Sequence, residues 1–140
     1  MYADDHNDLV PPIISRPSGN DWRSFPGSWV LGNAKLDADP TNITSGVLFP
    51  HVQGVGIYRC PADRSVIAGA TSKPARLRSY SLNMAFGGAG DLKTDPLYPF
   101  VQKISQLADP SPAQTFAFID VTAASIDTGD FCFFIILFLH

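Results

Sequence analysis

The stretches Tyr58-Arg59-Cys60-Pro61-Ala62-Asp63 and Arg78-Ser79-Tyr80-Ser81-Leu82-Asn83 decide the fold of this chain. Each has the pattern of a short strand that runs into a turn. We expect strands at residues 55–59 and 79–84, and a third at residues 115–120, which is rich in phenylalanine and aliphatic residues. Neither stretch contains an obvious set of catalytic groups, so both are better explained by a structural role in the fold than by a role in catalysis.

Length and composition predict one loop-rich domain. The chain has 140 residues, which is enough for a single hydrophobic core and too few for two. Twelve prolines and eleven glycines interrupt regular elements, and all thirteen acidic residues are aspartates, which favour caps and turns over helix interiors. The composition therefore favours an α+β or mainly β domain over residues 1–140, with few long helices.

Charge and hydropathy limit the partners. The formal net charge of −3 and the scattered lysines and arginines give no basic patch, so the sequence argues against nucleic-acid binding. Residues 131–139 are apolar throughout, but a membrane-spanning helix needs about 20 such residues. As a strand this segment would be apolar on both faces, so we expect it to be buried or to pair with another chain.

Five blocks, taken in chain order, resemble one protein family. The sequence is similar to the periplasm-facing head domain of type II secretion and type IV pilin-like pseudopilins, in particular the prepilin-type proteins of planctomycete and verrucomicrobial genomes. The similarity covers roughly residues 1–130 and is carried by Tyr2-Ala3-Asp4-Asp5 with Asp8, by residues 46–50, 57–63 and 78–83, and by Phe116-Ala117-Phe118-Ile119-Asp120.

The resemblance implies both a fold and a function. The fold would be an α+β head in which a short antiparallel sheet packs on a truncated N-terminal helix. The function would be assembly in the periplasm or cell envelope, through contacts with further copies or with other pseudopilin-like subunits. A chain with such a function would not be an enzyme.

Two departures from the family pattern concern the ends of the sequence. The hydrophobic N-terminal helix that polymerises the family's filaments is absent, and residues 131–140 form an atypical apolar segment in place of the family's C-terminal one. We therefore expect a head domain without the usual helix-packing route to a filament. Since residues 1–9 show no signal peptide or anchor, a protein expressed as this sequence is expected in the cytoplasm.

A calcium site is predicted from three aspartates. Some pseudopilins that resemble this chain bind calcium in a C-terminal loop, and Asp120, Asp127 and Asp130 are the matching carboxylates. Calcium takes six to eight oxygen ligands, but the loop lacks the EF-hand pattern. Aspartates at a tight turn are the alternative, and no other cofactor is expected. Two further sets of oxygen ligands stay open, Asp4 with Asp5 and Asp8, and Asp37 with Asp39.

The two cysteines, Cys60 and Cys132, allow at most one intramolecular disulfide. They match no zinc spacing and no Cys-x-x-Cys redox motif. An extracytoplasmic domain would favour the disulfide, and two buried thiols that pack as small hydrophobes are the alternative.

Two other functions stay open. The chain has no nucleophile elbow, but its aspartates could form the acid pair of a small carbohydrate hydrolase. Exposed tryptophans or tyrosines could instead stack on sugars in a carbohydrate-binding module. The hydrolase requires a deep cleft with two carboxylates, and the binding module requires coplanar exposed aromatics. The assembly function predicts that four aromatic residues are largely buried, namely Trp22, Trp29, Tyr58 and Tyr80.

Overall fold

The elements of this chain are short, as its composition predicts. The computed structural model describes residues 1–67, 69, 71–89, 100–108 and 111–131. The α-helices are α1 (Tyr2–Asp5), α2 (Thr41–Thr44) and α3 (Phe49–Val52), and single 3-10 turns lie at Val55–Tyr58, Ile104–Gln106 and Pro112–Gln114. The strands are β1 (Ile13–Ser18), β2 (Asp21–Ser24), β3 (Tyr80–Asn83), β4 (Gly88–Ala89), β5 (Phe118–Asp120) and β6 (Asp130–Phe131). The α+β class is confirmed.

The first sheet has the strand order β2-β1-β4. β1 and β2 form an antiparallel hairpin in which Ser18 lies opposite Asp21. The turn between them starts at Gly19, whose φ of +65° is a conformation that favours glycine. β4 pairs with β1 in parallel, so that Ile13 lies opposite Gly88.

The second sheet has the order β5-β3-β6 and contains the second sequence block. The strand predicted at residues 79–84 is confirmed as β3, and the one predicted at 115–120 is confined to β5. β5 is antiparallel to β3, with Leu82 opposite Phe118, whereas β6 is parallel to β3, with Leu82 opposite Asp130. Both sheets are therefore mixed, because each gains a parallel strand from a remote part of the chain.

The strand prediction for residues 55–59 is wrong. Val55–Tyr58 is a 3-10 turn, and the Arg59 amide closes it by donating to the Gly56 carbonyl at 3.3 Å. The turn places Tyr58 in the core, where it is 3% exposed. Tertiary packing of one aromatic ring thus outweighs the local strand pattern.

The core lies around Trp29, which is 2% exposed. Its ring stacks on Tyr58 with centroids 5.7 Å apart and meets Phe118 edge-on at 5.0 Å. Gly46 packs directly against the backbone of Trp29, and a Cβ there would collide with the Trp29 carbonyl oxygen. The other buried members of the cluster are Val10, Ile13, Val30, Ile43, Leu82 and Phe86.

The N-terminal helix is shorter than expected. α1 has one turn, and it buries Tyr2 and Ala3. Within the described ranges, no helix combines the length and the apolar character needed to cross a bilayer. Of the apolar segment 131–140, Phe131 belongs to β6, and residues 132–140 lie outside the described residues.

Candidate functional site

The two sequence blocks are joined by one buried carboxylate, that of Asp63. Its Oδ2 accepts hydrogen bonds from Arg76 Nε and Nη2 at 3.1 and 2.7 Å and from Ser79 Oγ at 2.6 Å. Its Oδ1 accepts from the amide and hydroxyl of Ser65 at 2.8 and 2.6 Å. Ser79 Oγ in turn accepts the Cys60 amide at 3.1 Å, and the Ser79 amide donates to the Tyr58 carbonyl at 2.9 Å, so Ser79 bonds the second block to the first through both its hydroxyl and its backbone.

This carboxylate holds the structure together and is already fully occupied. The side chains of Asp63 and Arg76 are 9% and 4% exposed. Burial alone would raise the pKa of Asp63, but the hydrogen bonds from Ser65, Ser79 and Arg76 outweigh burial and hold that pKa well below its usual range. Because five donors converge on two oxygens, no lone pair is left to act as a base toward a substrate.

Arg78, in the second block, plays a similar part. Its side chain lies under the loop before β6, donating from Nη1 to the Tyr80 carbonyl and from Nη2 to the Asp127 carbonyl, each at 3.0 Å. Burial lowers the pKa of Arg78 to about 10, against the opposing effect of nearby carboxylates, so it stays charged at neutral pH. Its guanidinium also lies 5.8 Å from the ring centroid of Trp29, which adds a cation–π contact to the core.

The loop 127–130, predicted as part of a calcium site, closes the fold. The Gly129 carbonyl accepts Trp29 Nε1 at 2.8 Å and also the Leu82 amide at 2.8 Å, and the Gly129 amide donates to Ser24 Oγ at 2.8 Å. A Cβ at Gly129 would lie 2.8 Å from the Trp29 indole nitrogen, so the close approach requires glycine. The loop thus joins the two sheets to the central tryptophan.

The three predicted calcium ligands contact protein donors or stand apart. Asp127 Oδ1 accepts the Thr128 amide at 2.6 Å, and Asp130 Oδ1 accepts Ser15 Oγ at 3.0 Å and the Thr128 hydroxyl. Asp120 lies in β5 opposite Tyr80. Among the described residues, no three His, Cys, Asp or Glu side chains converge on a position where they could hold a metal ion. Calcium binding stays a prediction with no preformed cluster behind it.

The alternative oxygen-ligand sets also form no group of three metal ligands in the part of the chain that the structure describes. Asp8 lies beyond the end of α1, and its carboxylate accepts the Ser105 amide at 3.0 Å, so it does not share a helix face with Asp4. Asp37 and Asp39 both line a cavity of about 10 Å³. A cavity of that size admits roughly one water molecule and no sugar ring, so it is not the cleft that a carbohydrate hydrolase requires.

Cys60 is half-buried beside β3. Its predicted disulfide partner, Cys132, lies outside the described residues, so the pairing stays a prediction. The bond from the Cys60 amide to Ser79 shows that the backbone of this residue has a structural role whatever the state of its sulfur.

The aromatic prediction is confirmed for Trp29 and Tyr58 and wrong for Trp22. Trp22 lies on the β1–β2 hairpin and is 51% exposed, because its strand has no sheet or helix over that face in the described part of the chain. Tyr80 is half-buried. A carbohydrate-binding module would need a second exposed ring coplanar with Trp22, and none of the ring contacts that the structure describes includes Trp22.

An apolar groove lies near the two blocks, and the sequence patterns did not reveal it. It has a volume of about 330 Å³ and lies between the 3-10 turn, α3 and the β3–β5 face. Three lining side chains are exposed, Ile57 at 58%, Phe118 at 40% and Val52 at 36%. The remaining lining residues are Trp29, Leu48, Tyr58 and Tyr80.

Among the described residues that line the groove, the only ionisable groups are the phenols of Tyr58 and Tyr80. Burial raises the pKa of Tyr58 to about 12, so this phenol stays neutral at physiological pH. An uncharged apolar surface of this kind favours contact with another apolar surface and offers no acid, base or nucleophile. Recognising the groove from sequence would have required the 3-10 turn, because a strand at 55–59 would not leave Ile57 beside Val52.

Comparison with protein-family models, with curated proteins and with solved structures found no match to this chain.

Proposed function

We propose that this chain is a structural subunit that acts through protein–protein contacts, as the resemblance to pseudopilin head domains implies. The observation that carries the proposal is the groove lined by Val52, Ile57 and Phe118, in which these three large apolar side chains are exposed to solvent. Exposed apolar patches mark interaction sites in soluble domains, because leaving them in water is unfavourable. The assembly would lie in the cell envelope, as for the family that the chain resembles.

The chemistry of the conspicuous polar residues supports the same function. Asp63, Arg76 and Arg78 are engaged in the hydrogen bonds that join the two sequence blocks, and Asp127 and Asp130 hold the loop before β6. These residues specify the fold. The surface that they leave available for function is apolar, and it fits assembly better than hydrolysis.

The test compares a groove variant with a matched surface variant. Ile57→Asp places a charge in the groove, whereas Val66→Asp places one on an apolar side chain that is 47% exposed and does not line the groove. Self-association is measured by sedimentation velocity over a wide range of protein concentration, with a reducing agent present to exclude cysteine cross-links.

We expect the wild type and Val66→Asp to associate and Ile57→Asp to stay monomeric. Circular dichroism and urea denaturation check that each variant is folded. A wild type that remains monomeric throughout, or an Ile57→Asp variant that associates as well as the wild type, would contradict assembly through this groove.

A further inference from the structure

The groove accommodates a short apolar segment better than a folded domain. Its volume of about 330 Å³ is at the small end of the range for ligand pockets, and the described part of its lining is apolar apart from two phenolic hydroxyls. A charged or strongly polar occupant would lose its hydration there without gaining hydrogen-bond partners. The occupant must therefore present a few consecutive uncharged apolar side chains.

The chain itself contains such a segment. Residues 131–139 read Phe-Cys-Phe-Phe-Ile-Ile-Leu-Phe-Leu, with no charged or hydroxylated residue. No other stretch of the sequence has nine consecutive apolar residues. The groove and the segment therefore have matching chemistry within one polypeptide.

The direction of β6 favours docking between copies over docking within one copy. β6 runs parallel to β3, and the Phe131 carbonyl accepts the Met84 amide at 3.1 Å, so at Phe131 the main chain runs away from the Tyr80 end of β3. The groove is lined by Tyr80 and by Phe118 of β5, so β3 lies between β6 and the β5 side of the groove. The described chain therefore ends at Phe131 on the far side of β3 from Phe118 of its own groove, whereas a neighbouring copy can present its groove without this separation.

We propose that residues 132–139 of one copy dock into the groove of a second copy of this chain. This inference rests on the proposed assembly function and names its partner. Two copies that exchange segments reciprocally form a closed dimer, and a one-way arrangement extends into a chain of subunits. The apolar segment and the exposed side chains at Ile57 and Phe118 are then two halves of one interface.

The experiment uses two full-length variants that disable opposite halves of the contact. Ile57→Asp blocks the groove and keeps the segment, while Ile136→Asp blocks the segment and keeps the groove. Each alone is expected to raise the dissociation constant for self-association at least about tenfold. An equimolar mixture retains one intact segment and one intact groove, so it is expected to form a one-to-one complex. Sedimentation velocity under reducing conditions measures all three, with Val66→Asp as the control.

The possible outcomes separate this inference from the proposed function. If Ile57→Asp associates like the wild type, both fail. If Ile57→Asp is monomeric but Ile136→Asp associates like the wild type, or if the mixture stays monomeric, the groove remains an assembly surface and the segment is not its partner. If both variants lower the stability of the monomer to urea and leave association unchanged, the segment docks within its own copy and the inference is overturned.

Discussion

Replacing Asp63 with asparagine is expected to lower the free energy of unfolding by about 3 kcal/mol, at the lower end of the cost of breaking a buried ion pair. The carboxylate accepts five hydrogen bonds, from Arg76, Ser65 and Ser79. Asparagine has one oxygen and one NH2 group, so either orientation of the amide sets a donor against at least two of those donors. The Arg76 guanidinium, 4% exposed, would also lose its counter-charge.

The assay is urea denaturation at neutral pH, followed by the fluorescence of the buried Trp29 and by circular dichroism. Asp21→Asn is the matched control, because Asp21 is an exposed aspartate in the β1–β2 hairpin, and its replacement is expected to change stability by less than about 0.5 kcal/mol. If Asp63→Asn lowers the free energy of unfolding by less than about 1 kcal/mol, the argument is refuted, since that is the value of an ordinary exposed salt bridge.

Three further predictions use the same denaturation assay. Because hydrogen bonding lowers the folded-state pKa of Asp63, its contribution to stability is complete above the unfolded pKa of about 3.9 and is lost as the pH falls from that value toward the lower folded-state pKa. Asp63→Asn should flatten this acid dependence, and equal slopes for both proteins would contradict it. The Tyr58 hydroxyl is buried with no partner among the described residues, so Tyr58→Phe should raise the free energy of unfolding by about 1 kcal/mol. Because burial raises the folded-state pKa of Tyr58 to about 12, the wild type should lose stability above about pH 10, and the variant should lose less. A clear destabilisation by Tyr58→Phe would contradict an unpaired hydroxyl. Gly46→Ala should lower the free energy of unfolding by about 2 kcal/mol, because the new Cβ collides with the Trp29 backbone. Gly56→Ala should leave stability nearly unchanged, because no atom lies within 4 Å of its new Cβ. Similar effects of the two substitutions would show that the backbone at Gly46 relaxes to relieve the collision.

Local sequence patterns predicted the features of the fold that depend on local sequence, namely strand β3 and the shortness of the helices. Alternation in the second sequence block located β3, and the abundance of aspartate, proline and glycine predicted short helices. The first block misled because Tyr58 gains more from stacking on Trp29 than from an extended backbone. The exposure of Trp22 was missed for a related reason, since no pattern within β2 shows whether another element covers it.

The candidate site was harder to predict than the fold. The two blocks were recognised as scaffold, but the bond from Ser79 to Asp63 joins residues 16 positions apart and has no periodic signature. Aspartates 127 and 130 were selected as calcium ligands from the family resemblance, and their donors include Ser15, which is 115 positions from Asp130. The groove depends on the 3-10 turn, so it could not be seen while that segment was interpreted as a strand.

The contacts of Gly129 have a consequence for how the chain folds. The Trp29 indole donates to the carbonyl of Gly129, which lies 100 positions later in the chain, and Ser24 accepts from the Gly129 amide, 105 positions later. On the ribosome, the first half of the protein would emerge with its central ring lacking these partners, and the central strand β3 would lack both neighbours. Such long-range closure slows folding and prolongs the exposure of aggregation-prone surface. Translation therefore delivers these stabilising contacts only after Gly129 has been made.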